Sequence, residues 1–375
     1  MFNIRFDDKS TAARVGQLET AHGTVDTPAF MPVATKAYVK TVTPDELIKM
    51  GTQVLISNAF VLYLRPGLET VTKAGGLHKF MNWHGAIFTD SGGFQIIRKD
   101  FKAKVKNEGI QFQDPFDGSK HELTPELCMD IQLELGSDVA MALDHCPPYG
   151  SSFEEIESAV ERTIEWAGRC KSHHDAKSDG KQHLFGIIQG GIYPELAKTC
   201  VEALEKFEFV GYGIGGLSIG EPKEQMYETL KNVLPQIPTA KPRYLMGVGS
   251  PQDLLEAISL GVDIFDSVFP TRNARHNTVY TKKGNININK SKYFFETDVP
   301  LDEGCGCYTC RNFSLGYVSH LLKEYSFLGM RLATIHNLFF LQELLRDARG
   351  AIEESDFSNF KAKFISNYKN NKNKS

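Results

Sequence analysis

The chain has 375 residues, enough for one large domain or two ordinary ones. Its 41% hydrophobic and 23% charged residues have the balance of a soluble globular protein, and no apolar run reaches the roughly 18–20 residues that a membrane span needs. A net charge of −4 excludes a globally basic nucleic-acid binder, so any such partner must be met by a local basic patch.

The N-terminus, MFNIRFDDKS, has no apolar core of signal-peptide length, and the cytoplasm is the expected compartment. Short apolar, β-branched or aromatic runs then recur along the chain. They are PAFMPVAT near 28–35, QVLISN at 53–58, AIFTDSGG at 86–93, DVAMALDHC at 138–146, HLFGIIQGG at 183–191, FVGYGIGGLS at 209–218, RYLMGVGS at 243–250 and GVDIFDS at 261–267. Helix-like segments lie between several of them. TPDELIKM (43–50), TPELCMDIQLELG (124–136), SSFEEIESAVERTIEWAGRC (151–170) and SPQDLLEAISLG (250–261) open with Ser or Thr caps and early acids. Eight near-continuous apolar strands alternating with helices describe a parallel sheet covered on both faces, and eight is the number that closes a (β/α)8 barrel. A doubly wound open sheet would carry a glycine-rich phosphate fingerprint after its first strand, and PVATKAYVK has none. The expected fold is therefore α/β, a (β/α)8 TIM barrel.

Such barrels gather their chemistry at the C-terminal ends of the strands. Asn58, Asp90 with Ser91, Asp144, Gln189, Gly216, Met246 and Asp266 all sit there. A lone Asp or Ser in that place reads as a helix cap, but so many polar and polarisable groups in one relative position predict a shared pocket. A carboxylate, a primary amide and glycine backbone groups suit the edge of a guanine-like ring, with Phe94 or Met246 covering its faces. Two further aspartates suggest glycosidic bond chemistry, in which one acid attacks or stabilises the anomeric carbon and the other moves a proton on the leaving group. In DSVFPTRNARHN (266–277), Arg272 and Arg275 follow Asp266 within two turns and suit the phosphates or bases of a polynucleotide. Other basic stretches, at 98–106, 281–292 and in the Lys/Asn tail, read individually as solvated faces.

CGCYTC places Cys305, Cys307 and Cys310 at C-x-C-x2-C spacing, where three thiolates can converge on one ion. His336, 26 residues beyond Cys310 at the start of an apolar helical pattern, is the expected fourth ligand. A Cys3His set leaves no open position, so one structural zinc per chain is expected, in a subdomain attached to the barrel.

TDSGGFQ, GIIQGG, GGLSIGE, YLMGVGSP, GVDIFDSVFPTRNAR and CGCYTC…HN occur in this order over almost the whole chain. Together they strongly resemble the tRNA-guanine transglycosylases, the queuine tRNA-ribosyltransferases, of bacterial type. The resemblance implies a pentosyltransferase of queuosine biosynthesis that exchanges guanine at the wobble position of GUN-anticodon tRNAs (Asp, Asn, His, Tyr) for a free 7-deazaguanine base. It assigns Asp266 as the nucleophile on the ribose C1′ and Asp90 as the general acid/base. It also assigns Ser91, Asp144, Gln189 and the backbone of Gly216 and Leu217 to base recognition, Phe94 and Met246 to the ring faces, and Arg272 and Arg275 to the anticodon. Double displacement fits, because one attachment point must release one base and accept another.

Phe94 stands where bacterial members usually carry Tyr, and His145 follows Asp144 where the family usually has Glu. Ile219 is bulky, as in bacterial members, so 7-aminomethyl-7-deazaguanine (preQ1) is the expected incoming base, with Glu221 near its ammonium. Queuine as the incoming base, a non-catalytic tRNA-binding partner subunit, and an enzyme acting on free nucleosides or on DNA are the alternatives. The resemblance also implies a homodimer. The expected domains are the barrel over 1–290, the zinc-binding subdomain over 291–345, and a final barrel helix with the tail over 346–375.

Overall fold

The computed structural model describes residues 1–97, 101–115 and 117–369. Residues 98–100 of the basic stretch at 98–106, and 370–375 of the tail, lie outside the described residues. Each of the eight apolar runs forms a strand of one parallel sheet: β1 Ala29–Pro32, β2 Val54–Asn58, β3 Ala86–Asp90, β4 Val139–Met141, β5 His183–Ile188, β6 Gly211–Ile214, β7 Arg243–Leu245 and β8 Ile264–Ser267. Pairing runs β1-β8-β7-β6-β5-β4-β3-β2. A parallel bridge between Val33 and Ile56 brings β1 back to β2, and the expected barrel closes.

Strand side chains alternate between two apolar environments, which is why these runs read as continuously hydrophobic. Met31, Ile56, Phe88, Met141, Ile187, Tyr244 and Ile264 fill the bore. Phe30, Leu55, Ile87, Ala140, Ile188, Leu245 and Phe265 face the helices. The four start signals are real caps. Thr43 and Ser152 complete capping boxes with Glu46 and Glu155, and Thr124 and Ser250 each accept the backbone N–H three residues on. Each such cap stabilises its helix by about 1 kcal/mol.

The first 27 residues form an antiparallel sheet of Phe2–Asp7, Arg14–Thr20 and Gly23–Thr27 across the N-terminal end of the barrel. Its Leu18 and Val25 join the apolar cluster of the bore and plug it from below. At the C-terminal end of the strands the chain instead inserts Lys104–Val105, Ile110–Gln113 and Lys120–Leu123 between β3 and β4. After β8 come the cysteine loop and the 27-residue helix Phe327–Glu353, which packs back on the barrel. Gln342 and Arg349 donate from this helix to the carbonyls of Phe30 and Pro28. The expected boundary at 345/346 falls inside this continuous helix.

Below β8, Asp263 is fully buried and accepts two hydrogen bonds from Arg14, at 2.8 and 2.6 Å, and one from the Arg243 backbone at 2.7 Å. Removing one partner of a buried ion pair strands the other. Asp263→Ala is expected to lower unfolding free energy by about 3–5 kcal/mol in urea titration; a loss below about 1 kcal/mol would contradict this role.

Candidate active site

The inward alternation that fills the bore with apolar side chains continues past the strand ends with polar ones. Two residues beyond Ile56, Phe88, Ile187 and Ile264 stand Asn58, Asp90, Gln189 and Asp266, and two beyond Tyr244 stands Met246. Asp144 follows the short β4 by three residues, and its carboxylate reaches the same mouth: Gln189 Nε2 donates to Asp144 Oδ2 at 2.6 Å. Along β6 and just beyond it the inward positions are Gly213 and Gly215. A Cβ on Gly215 would lie 2.5 Å from Gln189 Nε2, so the glycine is what lets the Gln189 amide seat against this backbone.

Three carboxylates therefore stand over an apolar floor. Asp90 is pushed up to about 7 by burial, then by the charges of Asp144 and Asp266. Asp144 is pushed up to about 6 by burial, against the Gln189 hydrogen bond. Burial also raises Asp266 above the usual carboxylate range, opposed by donors from Tyr244 and Gly247. Asn58 ties the acids to the scaffold. Its Oδ1 caps the helix Ala59–Leu64 by accepting from Val61, and its Nδ2 donates to Asp90 Oδ2 at 3.1 Å. Asp90 and Ser91 cap no helix. Gly92, at φ 89°, holds the N-cap of the short helix Gly93–Ile96, and Ser91 Oγ accepts from the Gly93 N–H at 3.3 Å. A Cβ on Gly92 would meet the Phe60 Cβ at 2.3 Å.

Phe94 follows β3 and Met246 follows β7. These strands are four apart in a ring of eight, so the two residues leave the barrel at opposite points of the ring, and both are half-buried. Gly216 and Ile219 border a cavity shared with Gln189, Tyr149 and Tyr193. Glu221 turns back on its own loop: its carboxylate accepts the N–H groups of Ser218, Ile219 and Gly220, the last two at 3.0 and 3.2 Å. Leu217 is buried, and the peptide joining it to Ser218 aims its N–H at Glu221, so its carbonyl faces away from that carboxylate. His145 does not join the acids. Burial and Arg162 push it down to about 4, and its neutral ring accepts from Arg162 Nη1 at 3.0 Å. Cys146 is pushed up to about 12 by burial and Asp144, and is unreactive as a thiol.

Arg272 and Arg275 lie on the helix Phe269–Arg275 after β8. Arg275, burial, Lys36 and Arg272 together hold Lys40 below its usual range, which marks a cluster of cations on this rim. Among the described residues none of the four forms an ion pair.

Away from the mouth, Cys305, Cys307 and Cys310 bring their Sγ atoms to 3.7, 3.5 and 3.3 Å from His336 Nδ1. A tetrahedral zinc with ordinary bond lengths needs about 3.6 Å between S and N, so the donor set fits. His336 Nε2 donates to the Tyr280 carbonyl at 2.6 Å, which leaves Nδ1 bare for a metal. His22, His78 and Asp138 also cluster. Their imidazoles stack at 3.5 Å with planes 17° apart, and each donates to a different Asp138 oxygen. Parallel lone pairs cannot converge on one ion, and this cluster is a hydrogen-bonded tie between the plug and β4.

The raised acids carry a stability cost with a definite sign. Unfolded Asp90 ionises near 3.8 and folded Asp90 near 7, so wild-type stability falls as pH rises between those values. Asp90→Asn removes that loss. Its thermal midpoint is expected to exceed wild type at pH 8 and to approach it at pH 4; equal differences at both pH values would contradict the raised pKa.

A profile of the queuine tRNA-ribosyltransferase family matches residues 8–370. A queuine tRNA-ribosyltransferase of Halothermothrix orenii is 49% identical over 370 residues, covering 98% of each chain. Those of a Thermoanaerobacter species and of Fusobacterium nucleatum are 51% and 48% identical, covering 96% and 97% of each chain. With the profile and these relatives spanning almost the whole chain, the protein belongs to the queuine tRNA-ribosyltransferase family of pentosyltransferases.

Proposed function

We propose that this chain exchanges the wobble guanine of GUN-anticodon tRNAs for 7-aminomethyl-7-deazaguanine, by double displacement through a covalent enzyme–tRNA adduct. The observation that carries this reading is the pairing of a carboxylate pushed up to about 7, Asp90, with a second buried carboxylate, Asp266, across one narrow mouth. Asp266 attacks C1′, the C1′–N9 bond breaks, and its electron pair goes to guanine N9, which takes a proton from Asp90. The incoming base then gives its N9 proton to Asp90 and attacks C1′, and the C1′–O bond returns its pair to Asp266. A group with a pKa near 7 can serve in both directions at neutral pH.

Asp144 and Gln189 pair with the polar edge of the base, beside the backbone of Gly216 and Leu217, while Ser91 shapes the turn under it. Phe94 and Met246 cover its two faces. The carboxylate of Glu221 is occupied by three amides, so it acts on an ammonium through the polarised Leu217–Ser218 peptide rather than by contact. Ile219 limits room for the larger substituent of queuine. Arg272 and Arg275, with Lys36 and Lys40, supply the local positive surface that a net charge of −4 otherwise denies to RNA. Zinc held by Cys305, Cys307, Cys310 and His336 ties the cysteine loop to the helix Phe327–Glu353, a structural cross-link. Exposed Tyr308, Tyr317, Phe327 and Leu328 on that subdomain support pairing with a second copy of the chain. The cytoplasm, where tRNA is modified, is the compartment this reading requires.

Release of labelled guanine from tRNA should be driven most effectively by the aminomethyl base; equal or better exchange with queuine or the 7-cyano base would overturn the substrate assignment. Asp266→Asn should abolish the adduct seen on denaturing gels while the chain still folds and melts cooperatively. Cys310→Ser should lower bound zinc from one per chain to a small fraction, with the melting temperature falling in step; full zinc occupancy in this variant would exclude Cys310 as a ligand.

A further inference from the structure

The fully buried Tyr244 is an unused polar group directly beneath the proposed nucleophile. Its ring is part of the bore, edge-on to Phe88 at 6.0 Å, and its hydroxyl rises from β7 to the neighbouring strand. The hydroxyl donates to Asp266 Oδ1 at 2.6 Å, and the Gly247 N–H donates to the same oxygen at 2.8 Å. Among the described residues, Oδ2 accepts no hydrogen bond.

We propose that Tyr244 is a positioning residue that, with the Gly247 amide, locks Oδ1 of Asp266 and leaves Oδ2 as the one oxygen free to attack C1′. The inference rests on the assignment of Asp266 as the attacking group. Two donors on one oxygen fix the rotation of the carboxylate about its own axis, which a packed apolar bore could not do. They also act unequally along the reaction. A carboxylate oxygen accepts more strongly than the carbonyl oxygen of the ester it becomes, so the pair stabilises free Asp266 over the adduct. It thereby helps the C1′–Oδ2 bond return its electron pair to the carboxylate in the second half-reaction. The hydroxyl stays protonated throughout, because burial and the charges of Asp266 and Asp90 raise it well above the usual tyrosine range. The titratable groups facing Asp266 are this hydroxyl and Asp90 across the mouth.

Tyr244→Phe keeps the ring and removes the donor. With tRNA and the aminomethyl base, kcat is expected to fall about ten- to a hundredfold, while KM for tRNA changes less than about threefold. Without the donor, Asp266 ionises at higher pH, so the acidic limb of the kcat/KM profile should move up by about one pH unit. Wild-type kcat with an unmoved acidic limb would overturn the inference and make Tyr244 a filler. If Tyr244→Phe does not fold, a fluorinated tyrosine placed at 244 keeps the shape and strengthens the donor; the acidic limb should then move down, and an unmoved limb would overturn the inference. Adduct formation by Asp266→Asn is a different failure, since it removes the nucleophile assignment on which the inference stands.

Discussion

One constraint organises the molecule: the two-residue alternation of the barrel strands. Because β1–β8 are parallel, tilted and closed on themselves, the inward positions stack in layers up the bore. The lower layers, with Met31, Ile56, Phe88, Ile187, Tyr244 and Ile264, are apolar. The next step of the same alternation supplies Asn58, Asp90, Gln189, Met246 and Asp266. A one-residue slip in any strand would turn its polar end toward the helices and an outward residue into the bore.

The chemistry of the mouth follows from that layering. A carboxylate above a floor of Phe and Ile has little water to solvate it, so burial raises all three, and the charges of Asp144 and Asp266 raise Asp90 further. Donors then differentiate them. Gln189 serves Asp144, Asn58 serves Asp90, and Tyr244 with the Gly247 amide serves Asp266. The acids share one environment and differ in what is hydrogen-bonded to which oxygen, and this difference is what the roles proposed for them rest on.

The fold was legible because its signals are local. Eight apolar runs and four Ser or Thr caps are contained within a few residues each, and they form as read. That Asn58, Asp90, Gln189, Met246 and Asp266 stand at or just beyond strand ends was legible for the same reason. What was missed depends on neighbours distant in sequence. Tyr244 in RYLM looks like core, and only the pairing of β7 with β8 puts its hydroxyl on Asp266. The N-terminal plug required Leu18 and Val25 to meet the bore, which no pattern within 27 residues announces. Glu221 was placed near the ammonium of the incoming base, and its motif does not reveal that Ser218 takes φ 60° and that three amides turn onto the carboxylate. Asn58 was visible as a strand end, but its register opposite Asp90 was not.

The plug has a kinetic consequence. Among the described residues, Leu18 and Val25 close the N-terminal end and aromatic rings fill the middle, so the bore is blocked from below. A base displaced from C1′ occupies the place its successor needs and must depart through the opening that the successor enters. For the exchange proposed above, this geometry imposes ping-pong order: guanine leaves before the deazaguanine binds, and a high concentration of free guanine holds the enzyme in futile self-exchange.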